Sequence, residues 1–389
     1  MVPARSSATL TRDLKTTRTE TRAEPAPRLI IDLATIQRNY SRLRELAPTA
    51  EAGAVVKANA YGLGATEIIP ALADAGCRTF YVAHTSEGRE ARAALAGRPA
   101  DIYVFNGFWP SELPALRKAE LFPVINELAQ LEQLRELAPD LPCALHFDTG
   151  MNRLGLGPEE TDILMADPSR LDAIDVRQIM SHLACADEPV YPLNKLQLQR
   201  FTRIREAFQG IPASLSNSAG ILLGPDYHFD ILRPGLALFG GVPAPGYPSP
   251  FEPAVEIDAP ILQIRTLQPG DTVGYGATFT ADTQRRIATV AAGYADGLLR
   301  AFGNGGYGRI GDIRVPILGR VSMDLIGVDI TEAPDTIRPG HPVCFLGGDI
   351  EDMADSAATI SYEFLVRLGL RFHRIYKPGA SRRGTAGSR

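Results

Sequence analysis

The sequence predicts an α/β protein, namely a (β/α)8 TIM-type barrel followed by a C-terminal, mainly antiparallel β domain. Between about residues 30 and 240, short apolar or β-branched runs alternate with segments in which apolar residues recur three or four positions apart. After a proline-rich stretch at 242–253, the chain changes to short strand-like runs separated by Gly, Pro and Asp. A doubly wound open sheet is the alternative for the first part, because periodicity does not distinguish a closed sheet from an open one.

Eight runs supply the predicted barrel strands. They are AVVK (54–57), FYVA (80–83), DIYVF (101–105), FPVI (122–125), CALHF (143–147), VRQIM (176–180), ASLS (213–216) and LALFG (236–240). Segments with a helical period include 67–75 and 127–137, where apolar residues recur three or four positions apart, as at Leu128, Leu131, Leu134 and Leu137. The strand-like runs of the second part are AVEIDAPILQIRTL, IATVAAGY, GRIGDIRVPILGRV, LIGVDI and PVCFLGGD.

These patterns divide the 389-residue chain into four parts. We expect a disordered leader at 1–27, the barrel at 28–245, the β domain at 246–378 and a solvated tail at 379–389. The leader contains no apolar run, so no secretory signal is expected. Four widely spaced cysteines without a CxxC pair argue against a disulfide scaffold or a zinc ribbon and favour a reducing, cytoplasmic location.

Composition excludes several classes of protein. Hydrophobic residues make up 45% and charged residues 22% of the chain, and the formal net charge is −5, values typical of a globular protein rather than of a disordered or membrane one. Lys and Arg are spread along the sequence without a basic block, so neither nucleic acid nor a membrane is an expected partner.

Unusual polar residues stand at the ends of the predicted strands, where a barrel places its chemistry. They are Lys57, Asp148, Asn152, Arg153, His182, Asn217 and Ser218, with Arg233 just before the predicted eighth strand. Each has an ordinary structural explanation, such as a snorkelling lysine or a helix-capping Ser-Asn-Ser run. Their convergence on one rim favours a functional site.

The chemistry indicated is that of pyridoxal phosphate. LSNSAG opens a helix after the seventh strand, and the helix N-terminus with the Ser218 hydroxyl is suited to a phosphate. Lys57, partly desolvated across the same mouth, is suited to a Schiff base, because burial lowers the pKa of a lysine. A metal centre is poorly supported, since the residues from His182 to Glu188 match no usual ligand spacing. A dinucleotide site is also poorly supported, because no GxGxxG follows a strand.

Nine motifs in one order match a known family. They are VVKANAYGLG, DTGMNRLG, SHLACADE, SNSAG, RPGLALFG, VGYGATFTA, GYADG, GRVSMD and ISYE, and the resemblance that they carry covers nearly all of residues 28 to 378. Through them the chain resembles bacterial alanine racemase, a fold-type III pyridoxal phosphate enzyme. The resemblance implies interconversion of L- and D-alanine by a head-to-tail homodimer, in which the partner's β domain completes each active site.

The resemblance also implies residue roles. Lys57 matches the Schiff-base lysine and one catalytic base, and Tyr275 matches the second base, supplied by the opposite subunit. Two bases on opposite faces of Cα suit a reaction that removes a proton from one face and returns it to the other. Arg233 matches the residue facing the pyridine nitrogen. Since arginine only donates hydrogen bonds, that nitrogen is expected to stay unprotonated.

The remaining matches concern binding. Arg153 and the backbone near Met323 match the holders of the substrate carboxylate, and Tyr294 of the partner matches a residue that limits substrate size. The cofactor contacts implied are Tyr61, Asn217, Ser218, Gly235 and Tyr362 near the phosphate, and His182 against the ring.

One departure affects binding. His146 stands where many members have a lysine that is carbamylated and orients the carboxylate-binding arginine, so carbamylation is excluded here. His146 itself, a bound anion or another arrangement must then position Arg153. Leu63 and Ser322 stand where histidine and cysteine are common, and neither change affects an expected catalytic residue.

Three alternatives stay open from the sequence. The nearest is a racemase of broader or different specificity, for example for serine or a basic amino acid. A non-enzymatic pyridoxal phosphate carrier would lack the β domain, and a fold-type III decarboxylase would not need two bases. The sequence also leaves open whether the reaction supplies D-alanine for peptidoglycan or serves alanine catabolism.

Overall fold

A computed structural model describes residues 26–379, apart from positions 245, 247 and 349. The predicted leader at 1–27 lies almost entirely outside these residues, as does the predicted tail beyond residue 379.

The described chain contains the following elements. The helices are α1 (Leu33–Leu46), α2 (Lys57–Tyr61), α3 (Ala65–Asp74), α4 (Thr85–Leu95), α5 (Leu113–Lys118), α6 (Leu128–Leu137), α7 (Pro158–Ala166), α8 (Pro192–Ala207), α9 (Ser218–Leu222), α10 (Ile350–Ser356) and α11 (Ser361–Val366). The strands are β1 (Arg28–Asp32), β2 (Glu51–Ala52), β3 (Ala54–Val55), β4 (Thr79–Val82), β5 (Asp101–Val104), β6 (Phe122–Ile125), β7 (Cys143–His146), β8 (Val176–Met180), β9 (Ala213–Ser214), β10 (Ile231–Leu232), β11 (Val255–Leu267), β12 (Thr272–Val273), β13 (Phe279–Thr280), β14 (Arg285–Val290), β15 (Tyr307–Ile310), β16 (Ile313–Pro316), β17 (Ile326–Asp329), β18 (Pro342–Leu346) and β19 (His373–Lys377).

The first part of the chain forms the predicted barrel. Strands β3 to β9 pair in chain order as one parallel sheet, and β2 pairs in parallel with β10. Only Gly53 separates β2 from β3, so these two strands form one continuous edge. At the other edge, the Asp230 and Arg233 amides donate to the carbonyls of Ala213 and Ser216, at 3.0 and 2.9 Å. The barrel is therefore closed by backbone hydrogen bonds, which excludes the open doubly wound sheet.

The predicted eighth strand was misplaced. LALFG is not a strand; Leu236–Phe239 is a 3-10 helix whose four side chains are all buried, and the eighth strand is β10. A short run that is buried on all sides has no periodicity to separate strand from helix. With the strand moved earlier, Arg233 follows β10 directly and so lies at the carboxyl end, with the other polar rim residues.

The second part is a mainly antiparallel sheet, as predicted. Its strand order is β16-β15-β18-β11-β1-β19, with β14 and β17 continuing from β11. The first strand of the chain, β1, belongs to this sheet although its residues fall in the range expected for the barrel, and it pairs in parallel with β19. The chain therefore passes between the two parts twice, once between β1 and α1 and once before β11.

The sheet also brings a helix to the barrel mouth. The motif ISYE lies at the start of a helix, since α11 begins at Ser361 and carries Tyr362. Nearby, Arg374 Nη1 donates to the Gly62 carbonyl at 2.7 Å and the Tyr376 hydroxyl donates to the Leu63 carbonyl at 2.9 Å. The β domain therefore braces the segment that follows Lys57. Across the described residues, no helix has both the length and the apolar character needed to cross a membrane.

Candidate active site

Lys57 begins a strained turn at the barrel mouth. The four residues that follow it have positive φ angles of 51°, 55°, 51° and 57°, so α2 is one left-handed turn made without glycine. The left-handed conformation costs an L-residue about 1–2 kcal/mol, and strain of this kind concentrates at functional sites. The turn is closed by the Gly62 amide bonding the Ala58 carbonyl at 2.7 Å and by the Ala65 amide bonding Asn59 Oδ1 at 2.8 Å.

The Lys57 amine lies in a partly desolvated environment. Its Nζ is 5.9 Å from the centroid of the Phe105 ring. Burial, reinforced by the Arg153 guanidinium, lowers the pKa of Lys57, while the Glu87 carboxylate acts in the opposite direction. A lowered pKa increases the fraction of free amine at neutral pH, which is the form that adds to a carbonyl and accepts a proton.

Arg153 is presented by a loop that Asp148 organises. The Asp148 carboxylate accepts hydrogen bonds from the amides of Gly150, Met151 and Asn152 at 2.8 to 2.9 Å. Asp148 is thus engaged by its own loop, which accounts for its place at the strand end. Arg153 is exposed and makes no hydrogen bond to another described residue, so its guanidinium is available to a ligand.

His146 is held in one tautomer by Asn126. The Asn126 amide donates to the carbonyls of Phe105 and Val124, so its oxygen faces His146 Nδ1 at 2.8 Å as an acceptor. His146 Nδ1 must then carry the proton. Burial, aided by the guanidinium of Arg233, lowers the pKa of His146 to about 3. The ring is therefore neutral, and its Nε2 is an acceptor in a region that also contains Arg153.

His182 and Arg233 line the same mouth. Burial, with Arg233 and Arg153 next in effect, holds the pKa of His182 well below its usual value. Arg233 is buried, and its guanidinium donates to Ser214 Oγ and to the Ser181 carbonyl. Burial lowers the pKa of Arg233 to about 10, which leaves it protonated at neutral pH. The neutral histidine therefore lies near fixed positive charges.

The predicted phosphate residues come together beneath this mouth. Ser218 Oγ accepts from the amides of Gly235 and Ala237 at 3.0 and 3.2 Å, which leaves its proton free to donate. The rings of Tyr61 and Tyr362 lie 6.1 Å apart, and neither hydroxyl bonds to another described residue. Burial raises the pKa of Tyr61, and it raises that of Tyr362 to about 12, so both stay protonated donors. Such a donor set suits a phosphate.

Asn217 has a structural role at this position. Its side chain caps α9 by accepting from the Gly220 amide at 2.9 Å. The capping explanation available from the sequence therefore accounts for Asn217, while Ser218 beside it faces Gly235.

Gly235 allows the Tyr61 hydroxyl to lie close to the backbone at this group of phosphate-suited donors. A Cβ added at Gly235 would lie 2.0 Å from the Tyr61 hydroxyl oxygen. We expect Gly235→Ala to weaken pyridoxal phosphate binding roughly tenfold or more, because overpacking costs about 1–3 kcal/mol. Equilibrium titration of the cofactor measures the effect. Gly157→Ala is the control, because a Cβ there meets no atom within 4 Å; equal affinity of the two variants would contradict this account of Gly235.

Tyr275, Tyr294 and Met323 lie on the surface of the β domain. They are 73%, 43% and 53% exposed, which is high for large apolar side chains. The amide of Tyr294 bonds the Ser322 carbonyl at 3.1 Å, and the next amide bonds the Met323 carbonyl at 3.0 Å, so Tyr294 and Met323 share one corner. Within the described part of the single chain, no hydrogen bond or ring contact joins Tyr275 to Lys57.

Three features of the site were not predicted from the sequence. Glu87 bonds the amide next to Lys57, and Asn126 fixes the tautomer of His146. Arg371 clamps the loop of Tyr294 through Asp296 at 2.9 and 3.0 Å. Each of these residues lies far in sequence from the group that it holds, so no local pattern signals it.

The residues from His182 to Glu188 do not form a metal-ligand cluster in the described structure. The group of ligand-type atoms that does come within 4.8 Å is Glu256, Asp258 and Cys344, in the second sheet. Arg28 already pairs with Asp258 there at 3.0 Å.

Fold and site together define a class of protein: a barrel enzyme whose mouth holds a lysine amine of lowered pKa, a group of hydroxyl donors suited to a phosphate, and two guanidinium groups. The comparisons with known proteins specify that class. Residues 31–243 match the model for the alanine racemase N-terminal domain and residues 254–376 that for the C-terminal domain. The chain therefore belongs to the alanine racemase family, and it is an isomerase.

Individual relatives agree with this assignment. A catabolic alanine racemase of Agrobacterium fabrum is 45% identical over 377 residues, covering 95% of this chain and 97% of the relative. Among solved structures, alanine racemase of Bartonella henselae with covalently bound pyridoxal phosphate has a TM-score of 0.85 at 35% identity, covering 90% of this chain and 99% of that one. The biosynthetic alanine racemase of Pseudomonas aeruginosa has a TM-score of 0.84 at 36% identity, with the same coverage.

Proposed function

We propose that this chain interconverts L- and D-alanine with pyridoxal phosphate bound at Lys57, by a two-base mechanism. The observation that carries the proposal is the Lys57 amine, whose pKa is lowered at the barrel mouth, next to the unpaired guanidinium of Arg153. The test is to add pyridoxal phosphate and follow the loss of optical activity from a panel of L-amino acids. Failure to racemise L-alanine would exclude this function, and comparable rates with serine or a basic amino acid would favour the broader racemase.

The residues at the mouth fit the cofactor. Tyr61, Tyr362 and Ser218 offer hydroxyl donors to its phosphate, Gly235 leaves room for that group, and Lys57 offers the amine for covalent attachment. When bound, the cofactor supplies an electron-withdrawing system that weakens the Cα–H bond of an attached amino acid. Arg233, protonated and a donor only, would hold the ring nitrogen as an acceptor and so moderate that withdrawal.

Proton transfer would be divided between two side chains. In one direction Lys57, whose amine is free once the substrate amine has taken its place on the cofactor, would accept the Cα proton, and Tyr275 of the partner subunit would donate its hydroxyl proton to the opposite face. The substrate neither gains nor loses atoms, and its configuration is inverted. In the other direction the roles exchange, and solvent exchange returns both groups to their starting protonation states.

A second copy of the chain is needed for this division. Tyr275, Tyr294 and Met323 are exposed on the β domain and make no described contact with Lys57 of their own chain. We infer a head-to-tail homodimer in which each β domain covers the partner's barrel mouth. Large apolar side chains with a polar tip are typical of such interface positions.

Arg153 would hold the substrate carboxylate, with His146 as its support. Asn126 fixes the His146 tautomer and leaves Nε2 as an acceptor, so a neutral histidine takes the place of a carbamate near the guanidinium. With a pKa of about 3, this support does not change protonation across the neutral range.

We expect His146→Ala to raise KM for alanine about tenfold, with a smaller change in kcat, because the carboxylate anchor loses its orientation. Steady-state kinetics in both directions measure the effect. His341→Ala is the control, because His341 lies in the loop before β18, in the other domain. Unchanged KM in the His146 variant would show that Arg153 is positioned by another group.

The relatives are compatible with both of the biological roles that the sequence leaves open. The relatives include a catabolic alanine racemase and a biosynthetic one, so supply of D-alanine for peptidoglycan and alanine catabolism are both compatible with the family. All four cysteines are free thiols, which supports the cytoplasmic location expected from the sequence.

A further inference from the structure

Glu87 connects two strand ends with one carboxylate. Its Oε1 accepts from the Ala58 amide at 2.7 Å, and its Oε2 accepts from the amides of Ala83 and His84 at 2.8 and 3.2 Å. The bonds to Oε2 follow from the position of Glu87 in the first turn of α4, where a glutamate commonly bonds the amides before a helix. The bond from the Ala58 amide is not explained by this helix position, because Ala58 lies 29 positions away in another segment.

The Ala58 amide is a position where a tether matters. It belongs to the residue directly after Lys57 and to the first of four residues in the left-handed conformation. Alanine offers no polar side chain to stabilise that conformation, in contrast to Asn or Asp. The other tethers of this segment, from Arg374 and Tyr376, bond Gly62 and Leu63 at its far end. Glu87 therefore holds the end that carries the amine.

The charge of Glu87 is also directed at Lys57. Burial and the Arg153 guanidinium both disfavour the protonated amine, and Glu87 is the carboxylate that opposes them. A base that lost too much of its proton affinity would accept the Cα proton poorly. The same side chain thus meets a geometric and an electrostatic need.

We propose that Glu87 is a positioning residue for Lys57, which it serves by fixing the amide after the lysine and by offsetting the charge of Arg153. This deepens the proposed function and rests on Lys57 being its reactive amine. In this role Glu87 acts through Lys57 and the amide that follows it.

Glu87→Gln tests the electrostatic part. Competitive labelling of the full-length chain with trace acetic anhydride, read by mass spectrometry, gives the pH midpoint of the Lys57 amine without any cofactor. We expect the midpoint to fall by about half a pH unit or more, because a nearby negative charge is removed from a desolvated site. Glu90→Gln is the matched control, since Glu90 is exposed on the same helix and loses the same charge; its midpoint should stay at the wild-type value.

Glu87→Asp tests the geometric part. Aspartate keeps the charge but is one methylene shorter, so it no longer reaches both Ala58 and the amides before α4. We expect its labelling midpoint to stay near that of wild type, while covalent loading of Lys57 with pyridoxal phosphate slows by about tenfold. Loading is measured as the mass increase after borohydride reduction, and thermal unfolding confirms that each variant is folded.

The outcomes separate this inference from the proposed function. If both Glu87 variants match Glu90→Gln in midpoint and loading rate, Glu87 is only a helix cap and the inference is wrong. If the wild-type chain does not load with pyridoxal phosphate but Glu87→Gln still lowers the midpoint, the positioning role stands and the proposed function fails.

Discussion

Lys57→Ala is expected to abolish racemisation, with a loss of at least about 10⁴-fold in kcat for either enantiomer of alanine. The variant would remove the proposed covalent attachment point and one of the two proposed bases in a single change. Covalent retention of pyridoxal phosphate through denaturation should also disappear, because no other lysine lies at the barrel mouth among the described residues. Polarimetry measures the first effect, and intact mass after borohydride reduction measures the second.

Lys195→Ala is the control for this prediction. Lys195 is an exposed residue of α8, so the same deletion there should leave both readouts unchanged. Covalent cofactor on the Lys57→Ala chain would identify another lysine as the attachment point and contradict the site as described.

The loss is expected to be this large because of what surrounds the amine. Arg153 and Arg233 contribute fixed positive charge at the mouth, while His146 and His182 are kept neutral by burial and by those same guanidinium groups. A mouth of this charge favours anionic groups such as phosphate and carboxylate. The Lys57 amine, whose pKa is lowered, is the proposed nucleophilic group within it, and an alanine at that position offers no substitute.

The sequence predicted the architecture because the barrel depends on local periodicity. The helical repeat in 127–137 became α6, and seven of the eight predicted strand runs became strands of the barrel. LALFG failed because a run buried on every side carries no period. The membership of β1 in the second sheet was missed because its partners, β11 and β19, lie far along the chain, and pairing between distant strands leaves no local signal.

The candidate site shows the same division between local and distant information. Lys57 and Ser218 could be selected because each stands at a strand end with an unusual residue type. The left-handed turn after Lys57 could not, since Ala58 and Ala60 are helix-favouring residues whose conformation is imposed by tethers from Glu87 and the β domain. The exposure of Tyr275 in a single chain does not by itself indicate a role. A second copy of the chain would have to supply the barrel mouth that Tyr275 is proposed to reach.

Mixing two inactive variants gives the sharpest test of whether the active site is shared between two chains. Tyr275→Phe alone should lower kcat by about 10²- to 10⁴-fold, because the hydroxyl that is proposed to donate and accept the proton is removed while the ring stays. Equal amounts of Tyr275→Phe and Lys57→Ala chains, unfolded and refolded together, should give mixed dimers in half of the molecules. Each mixed dimer has one intact site of two, so activity should recover to about a quarter of wild type.

A site formed within one chain would give no recovery, because every site would then contain one of the two substitutions. Tyr191→Phe is the control, since Tyr191 is an exposed tyrosine of the barrel and its variant should keep full activity both alone and after refolding. Recovery depends on the exposed corner of one β domain reaching the barrel mouth of another chain. The test therefore decides between a shared and a self-contained site whatever the absolute rate of either variant.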